Sequence, residues 1–197
     1  MVRIVLAGLQ HETNTFSIYP TTYEEFALFA DATWHVTPRF DLSFGGRGSW
    51  NDQTASQTAE GLLIGSLSFP EVSSSENPVT YSFSPRYELT GNSSIYARVA
   101  SGFRPGGPNV LPPGVPEDTP LTYESDSLTS YELGWKATGA NGRFALDLAA
   151  FYLDWQDIQL YTLVNGFGIN ANGGTAVSKG AEFSFSVLPT AGLTLSL

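Results

Sequence analysis

Residues 127–159, SLTSYELGWKATGANGRFALDLAAFYLDWQDIQ, read as two long strands joined by a tight turn. In the first, Tyr131, Leu133, Trp135 and Ala137 alternate with Ser130, Glu132, Gly134 and Lys136, so one face is apolar and the other polar and charged. Thr138-Gly139-Ala140-Asn141-Gly142 supplies the turn, because Asn and Gly tolerate positive φ. Phe144, Leu146, Leu148, Ala150 and Tyr152 then resume the alternation. Each strand runs about ten residues or more, beyond the usual length in a soluble sheet. That length suits a strand crossing a bilayer at a tilt.

The same pattern recurs on both sides. Residues 28–36 form a strand and Thr37-Pro38-Arg39 a turn, after which Phe40, Leu42, Phe44, Gly46, Gly48 and Trp50 alternate with Asp41, Ser43, Gly45, Arg47 and Ser49. Residues 78–89 give a third strand, in which Pro85 predicts a bulge or a strand end. Thr90-Gly91-Asn92-Ser93 turns into a fourth strand marked by Ile95, Ala97 and Val99, with Tyr96 and Arg98 on the opposite side. Residues 178–187 alternate again, Pro189-Thr190-Ala191-Gly192 turns, and residues 193–197 open another strand, about eight in all. The remaining segments, 51–77 with its apolar island Leu62-Leu63-Ile64, the proline-rich 102–126, and 161–175, read as loops.

Short and long connections therefore alternate strictly. An outer-membrane barrel has tight turns at one end and long loops at the other, whereas a soluble sandwich has no reason to sort its loops this way. The expected fold is all-β, an antiparallel up-and-down transmembrane β-barrel. Composition agrees: of 197 residues only 14% are charged and 13% are aromatic. The formal net charge of −10 argues against nucleic acid as a partner. There is no Cys, hence no disulfide or thiolate chemistry, and the two His, His11 and His35, lie far apart, which argues against a His-rich metal site. No apolar run reaches the roughly 18 residues of a transmembrane helix.

The first 26 residues differ in style. Val2-Arg3-Ile4-Val5-Leu6-Ala7-Gly8 reads as a buried parallel strand opening an α/β unit, and Gln10-His11-Glu12 ends it too soon for a signal peptide. His11 to Phe16 reads as a polar loop with local side-chain to backbone bonds. The order Arg3-Ile4-Val5-Leu6-Ala7-Gly8-Leu9-Gln10-His11-Glu12-Thr13-Asn14-Thr15-Phe16-Ser17, then Pro20-Thr21-Thr22-Tyr23-Glu24-Glu25-Phe26, resembles the start of the microcystinase C (MlrC-type) metallopeptidase family. That resemblance implies zinc-dependent amide hydrolysis in the family. Zinc needs three or four ligands, and no further cluster follows, so it implies ancestry of residues 1–26 and not activity.

From residue 27 onward several stretches resemble TonB-dependent receptors: Ala27 to Thr37 with Leu42 to Arg47, Ile95 to Gly107, Ser130-Tyr131-Glu132-Leu133-Gly134-Trp135-Lys136, Ala149 to Gln159, and Ala176 to Glu182. The resemblance implies a signal peptide, a TonB box, a plug and a barrel of about 22 strands in full members, so residues 27–197 are expected to be a barrel fragment, joined near Glu25–Ala27 to the unrelated first segment. It further implies a Gram-negative outer-membrane location, lipid as surroundings, a TonB complex reached through the plug, and import of a scarce solute of siderophore, cobalamin or glycan type. Phe and Trp are expected to face lipid. Glu132, Lys136, Arg98 and Glu182 are expected to face the lumen, solvating the wall or pairing with one another, and Phe103 and Arg104 to serve loop packing. No catalytic, cofactor or metal residue is expected, and no ligand-binding residue is assigned. The alternatives are an inactive MlrC-type zinc peptidase fragment and a small closed outer-membrane barrel.

Overall fold

The computed structural model describes residues 2–6, 10–12, 15–61, 65–111, 115–139 and 142–197, with side chains from residue 18 onward. The described residues form strands and connections with no helix. In chain order they are β1 Val2–Leu6, β2 Gln10–Glu12, β3 Thr15–Ile18, β4 Thr21–Thr37, β5 Phe40–Gly61, β6 Gly65–Glu76, β7 Val79–Thr90, β8 Ser93–Arg104, β9 Gly107–Pro108, β10 Thr122–Tyr123, β11 Asp126–Gly139, β12 Phe144–Gln156, β13 Gln159–Val164, β14 Phe167–Asn172, β15 Ala176–Thr190 and β16 Leu193–Ser196. Twelve join one antiparallel sheet whose main path is β1-β4-β5-β7-β8-β11-β12-β15-β16. Among the described residues the path runs open, with β1 and β16 at opposite ends, and does not close as the small-barrel reading expects.

The register turns the sequence alternation into a two-faced wall. One row across it reads Trp34, Leu42 and Pro85, then Ala97, Leu133, Ala150 and Ala181. The row one residue over reads His35, Asp41, Arg86, Tyr96, Gly134, Ala149 and Glu182. Apolar rows thus stack on one face and polar rows on the other. Leu133 is 63% exposed on the apolar face, which a protein tolerates when the solvent there is lipid. On β12 the apolar residues run from Phe144 to Tyr152, and the next on that face is Asp154, opposite Thr129. At about 3.3 Å per residue and a tilt near 40°, that stretch rises roughly 20 Å, close to the apolar band of an outer-membrane wall.

Aromatic pairs bind neighbouring strands on this face: Phe44–Phe83 at 5.3 Å, Phe26–Trp50 at 5.7 Å and Tyr131–Tyr152 at 6.2 Å between ring centroids. The short turns lie together at one end. Gly142 and Gly192 adopt φ of +82° and +86° there, the conformation for which glycine suits a turn.

Five expectations change. First, residues 51–77 are not a loop: β5 continues to Gly61 and β6 returns against it. The island at 62–64 lies outside the described residues, as do Ala140 and Asn141 of the turn. Second, 161–175 is a hairpin, β13 with β14, turning at Asn165-Gly166 with φ of 52° and 86°. That is the Asn-Gly signature of a tight hairpin. Third, β1 does not open a parallel α/β unit; it pairs antiparallel with β4, Val2 opposite Glu25 through Leu6 opposite Thr21. β4 itself runs without a break through the 26/27 join. Fourth, Pro85 causes neither bulge nor strand end. It sits mid-strand opposite Leu42, and the flanking register places it opposite Ala97. Having no N–H, it cannot serve the Ala97 carbonyl; the Ser84 hydroxyl donates to that oxygen instead, at 3.1 Å. Fifth, His11, Glu12, Thr15 and Phe16 lie in the paired strands β2 and β3 and not in a polar loop.

Candidate functional site

On the polar face of the wall the pivotal residue is Gly134. The Tyr96 ring lies directly on this glycine, in space a Cβ would occupy. From there the Tyr96 hydroxyl donates to Glu132 Oε1 at 2.5 Å, and the Lys136 ammonium stands 5.4 Å from the ring centroid. Lys136 also donates to Asp147, its cross-strand neighbour. The alternating trio Glu132, Gly134, Lys136 is therefore a cradle for one aromatic ring, with a charge at each side.

A second cluster stands nearer the short turns. Asp41 accepts from Arg86 at 3.1 Å and pairs with His35 Nδ1 at 2.6 Å. Between the two clusters lies a concavity of about 460 Å³ bordered by Ser43, Ser84, Arg98 and Glu132. Arg98 is exposed and faces Glu132 across the ladder, but Tyr96 holds that carboxylate. At the long-loop end Arg47 pairs with Glu25 at 2.6 Å. The wall thus presents mostly paired charges to a water-filled space, as a polar lumen requires.

Above the apolar band, the proline-rich segment 105–125 is tied down at its neck from two sides. One Glu76 carboxylate accepts the Gly106 N–H at 3.0 Å and the Ser125 N–H at 2.6 Å. Gln53 donates to the Gly106 carbonyl at 2.5 Å. From the other side the Gln159 amide nitrogen faces the carbonyls of Arg104, Pro105 and Glu124 at 3.1, 2.9 and 3.1 Å. Asn109 and Asn170 exchange two bonds, of 2.7 and 2.9 Å, linking this segment to β14. Asp126, its side chain only 3% exposed, takes the Arg104 guanidinium. Burial pushes its carboxyl upward, but the hydrogen bonds from Arg104 and the Gln159 N–H outweigh this and hold it below the usual range. The Tyr123 hydroxyl is pushed up, chiefly by burial.

The expected lumen residues share one face. Glu132 and Lys136 meet around Tyr96, Arg98 stands apart from any ion pair among the described residues, and Glu182 lies exposed opposite Ala149. Arg104 does more than pack its loop: it closes the neck through Asp126 and stacks 5.3 Å from the Trp155 ring centroid. His35 joins the wall network. His11 and Glu12 lie in β2, paired with β3, and their side chains are outside the described set. Among the described residues no group of three or more His, Asp or Glu is placed to hold a metal ion. The sequence reading missed Glu76, Gln53 and Gln159, because nothing in a polar stretch marks which side chain will meet a backbone from another loop.

The chain matches a family described as TonB dependent receptor-like, beta-barrel, over residues 7–197. A pesticin receptor from Yersinia enterocolitica is 33% identical over 162 residues, covering 82% of this chain and 23% of its own length. The pesticin receptor of Yersinia pestis matches to the same extent. Among solved structures, the ferric yersiniabactin uptake receptor from Yersinia pestis superposes with a TM-score of 0.77 at 28% identity, over 93% of this chain and 27% of that one. The ferric-catecholate import receptor of E. coli K12 in its closed form gives 0.71 at 19% identity, over 89% and 27%, and so speaks to the fold alone. The chain spans about a quarter of the length of the relatives it matches. The family match begins at residue 7, inside the stretch that resembles MlrC-type enzymes, and none of these findings supports a metallopeptidase origin for it.

Proposed function

Because this chain belongs to the TonB-dependent receptor-like β-barrel family, whose members lie in the Gram-negative outer membrane, we propose that it forms part of the wall of a receptor importing a scarce metal-chelating solute. Such a receptor works by binding and passage and not by bond chemistry, so no catalytic role is assigned to any residue. The observation that carries the reading is the two-faced sheet: apolar rows for lipid, paired charges for a wet lumen, and long tied hairpins at one end. A siderophore is favoured over cobalamin or a glycan, because relatives are named for pesticin and for ferric yersiniabactin uptake. Energy would come from TonB, acting on parts of the receptor other than this wall. The test is uptake of iron-55 siderophore by iron-limited cells expressing the receptor that contains this segment, with and without TonB. Uptake that requires both supports the proposal; uptake unchanged when the receptor gene is deleted sinks it.

The division at residues 26/27 is kept as a separate proposal. Its support is the residue order from Arg3 to Ser17, which fits an unrelated family. Long-read sequencing of the locus, with peptide mapping across Glu25–Ala27, tests it; one translated reading frame through the join overturns it.

A further inference from the structure

A largely exposed aromatic ring stands on the polar face of the wall at β4. Phe29 lies on the polar side of β4, opposite Arg47, and is 77% exposed. Two residues on, the Asp31 carboxylate is exposed with no partner among the described residues. Its position depends on Gly45: a Cβ there would lie 2.5 Å from Asp31 Oδ1 and 2.6 Å from Ser82 Oγ. The glycine leaves the hollow into which both oxygens turn. Across a depression of about 300 Å³ stands Arg98, whose cross-strand carboxylate, Glu132, is held by Tyr96. The hollow therefore offers an unpaired anion beside an exposed ring at one side and an unpaired guanidinium at the other. It lies at the level where the apolar band ends toward the long hairpins, because Asp31 and Ser82 share the row of Gly45 and Ala100.

We propose that this hollow is a binding subsite for a solute carrying both a basic group and a carboxylate. The cation sits between the Phe29 face and Asp31, where ring quadrupole and carboxylate attract it together. The carboxylate meets Arg98, whose planar fork suits two parallel hydrogen bonds. β4 and β8 are separated by β5 and β7, three strand spacings of about 4.8 Å, or about 14 Å between backbones. A ligand that touches both ends therefore has its charges separated by several methylene lengths. This subsite rests on the import reading and specifies the chemistry of the solute.

The test uses 6-aminohexanoate, with hexylamine and hexanoate as one-charge controls, titrated by saturation-transfer NMR against the protein in outer-membrane vesicles. The zwitterion is expected to bind more tightly than either control. Asp31→Asn and Arg98→Gln are each expected to weaken it by about threefold to fivefold, the worth of one partly exposed charge pair. Hexylamine responds only to Asp31→Asn and hexanoate only to Arg98→Gln. Gly45→Ala, which displaces Asp31 and Ser82 without changing charge, weakens the zwitterion too. A zwitterion that binds no better than the controls, or equally to all variants, overturns the subsite. So does absence of any binding because another segment of the receptor fills the hollow. Siderophore uptake measured on the same cells separates the two claims. Uptake without probe binding removes the subsite alone; selective probe binding without TonB-dependent uptake removes the import reading.

Discussion

Gly134→Ala probes the cradle on the polar face of the wall. A methyl group at this position would overlap the ring carbons and hydroxyl of Tyr96. The strands cannot part to make room, because β11 is laddered to β8 on one side and β12 on the other. The ring must swing out, which takes the hydroxyl from Glu132 and the ring face from Lys136. Overpacking costs about 1–3 kcal/mol. The lost bond to a carboxylate adds about 1 kcal/mol once discounted for a wall open to water. Alanine recovers about 0.5–1 kcal/mol over glycine in backbone entropy. The expected net loss is roughly 1–3 kcal/mol, read as a lower urea midpoint of the membrane-inserted protein by tryptophan fluorescence. The decisive comparison is a double-mutant cycle. In a Tyr96→Ala background the methyl has nothing to strike, so Gly134→Ala should be neutral or stabilising there. An equal cost in both backgrounds refutes the cradle.

Three more outcomes are expected. Ser84→Ala leaves the Ala97 carbonyl without a donor beside Pro85 and should cost about 1 kcal/mol in the same assay, with Ser84→Thr retaining most of it. Glu76→Gln keeps one acceptor where a carboxylate served two N–H groups, so amide exchange at Gly106 and Ser125 should rise while exchange at Leu133 stays unchanged. The Asp126 carboxyl titrates lower folded than unfolded, so its contribution is complete above the unfolded value near 3.8 and is lost only as pH falls through the lower folded value. Pepsin should therefore spare residues 105–125 at pH 4 and cut them near pH 2, and Asp126→Asn should be cut at both.

The membrane-crossing part of the fold was legible because lipid on one side and water on the other impose a strict period of two, plain from Tyr131 to Trp135. That signal disappears beyond the lipid, where neither face of a hairpin has to be apolar. Residues 51–77 accordingly read as a polar loop, although Thr54, Thr58 and Val72 sit in strands. Asn165-Gly166 carried a usable turn signal of its own, hidden among the other Gly and Asn of that segment. β1 misread for a different reason: a short apolar run looks alike in a parallel and an antiparallel sheet. At the site, residue types predicted which charges share the lumen face. They did not predict that Gly134 is a seat for Tyr96, that Ser84 stands in for the missing Pro85 N–H, or that Phe29 breaks the alternation. The first two need the register between strands. The third was visible in the dipeptide Leu28-Phe29, where two large apolar residues in succession must place one of them on the wet side.

The absence of cysteine lets single cysteines be introduced along 130–137 without background, each carrying a nitroxide whose collisions with lipid-soluble oxygen and a water-soluble nickel chelate are compared. Positions 131, 133 and 135 should favour oxygen, and 130, 132 and 136 should favour the chelate, with a period of two. Equal accessibility along the stretch, or a reversed phase, would contradict the wall with lipid on one face and a wet lumen on the other.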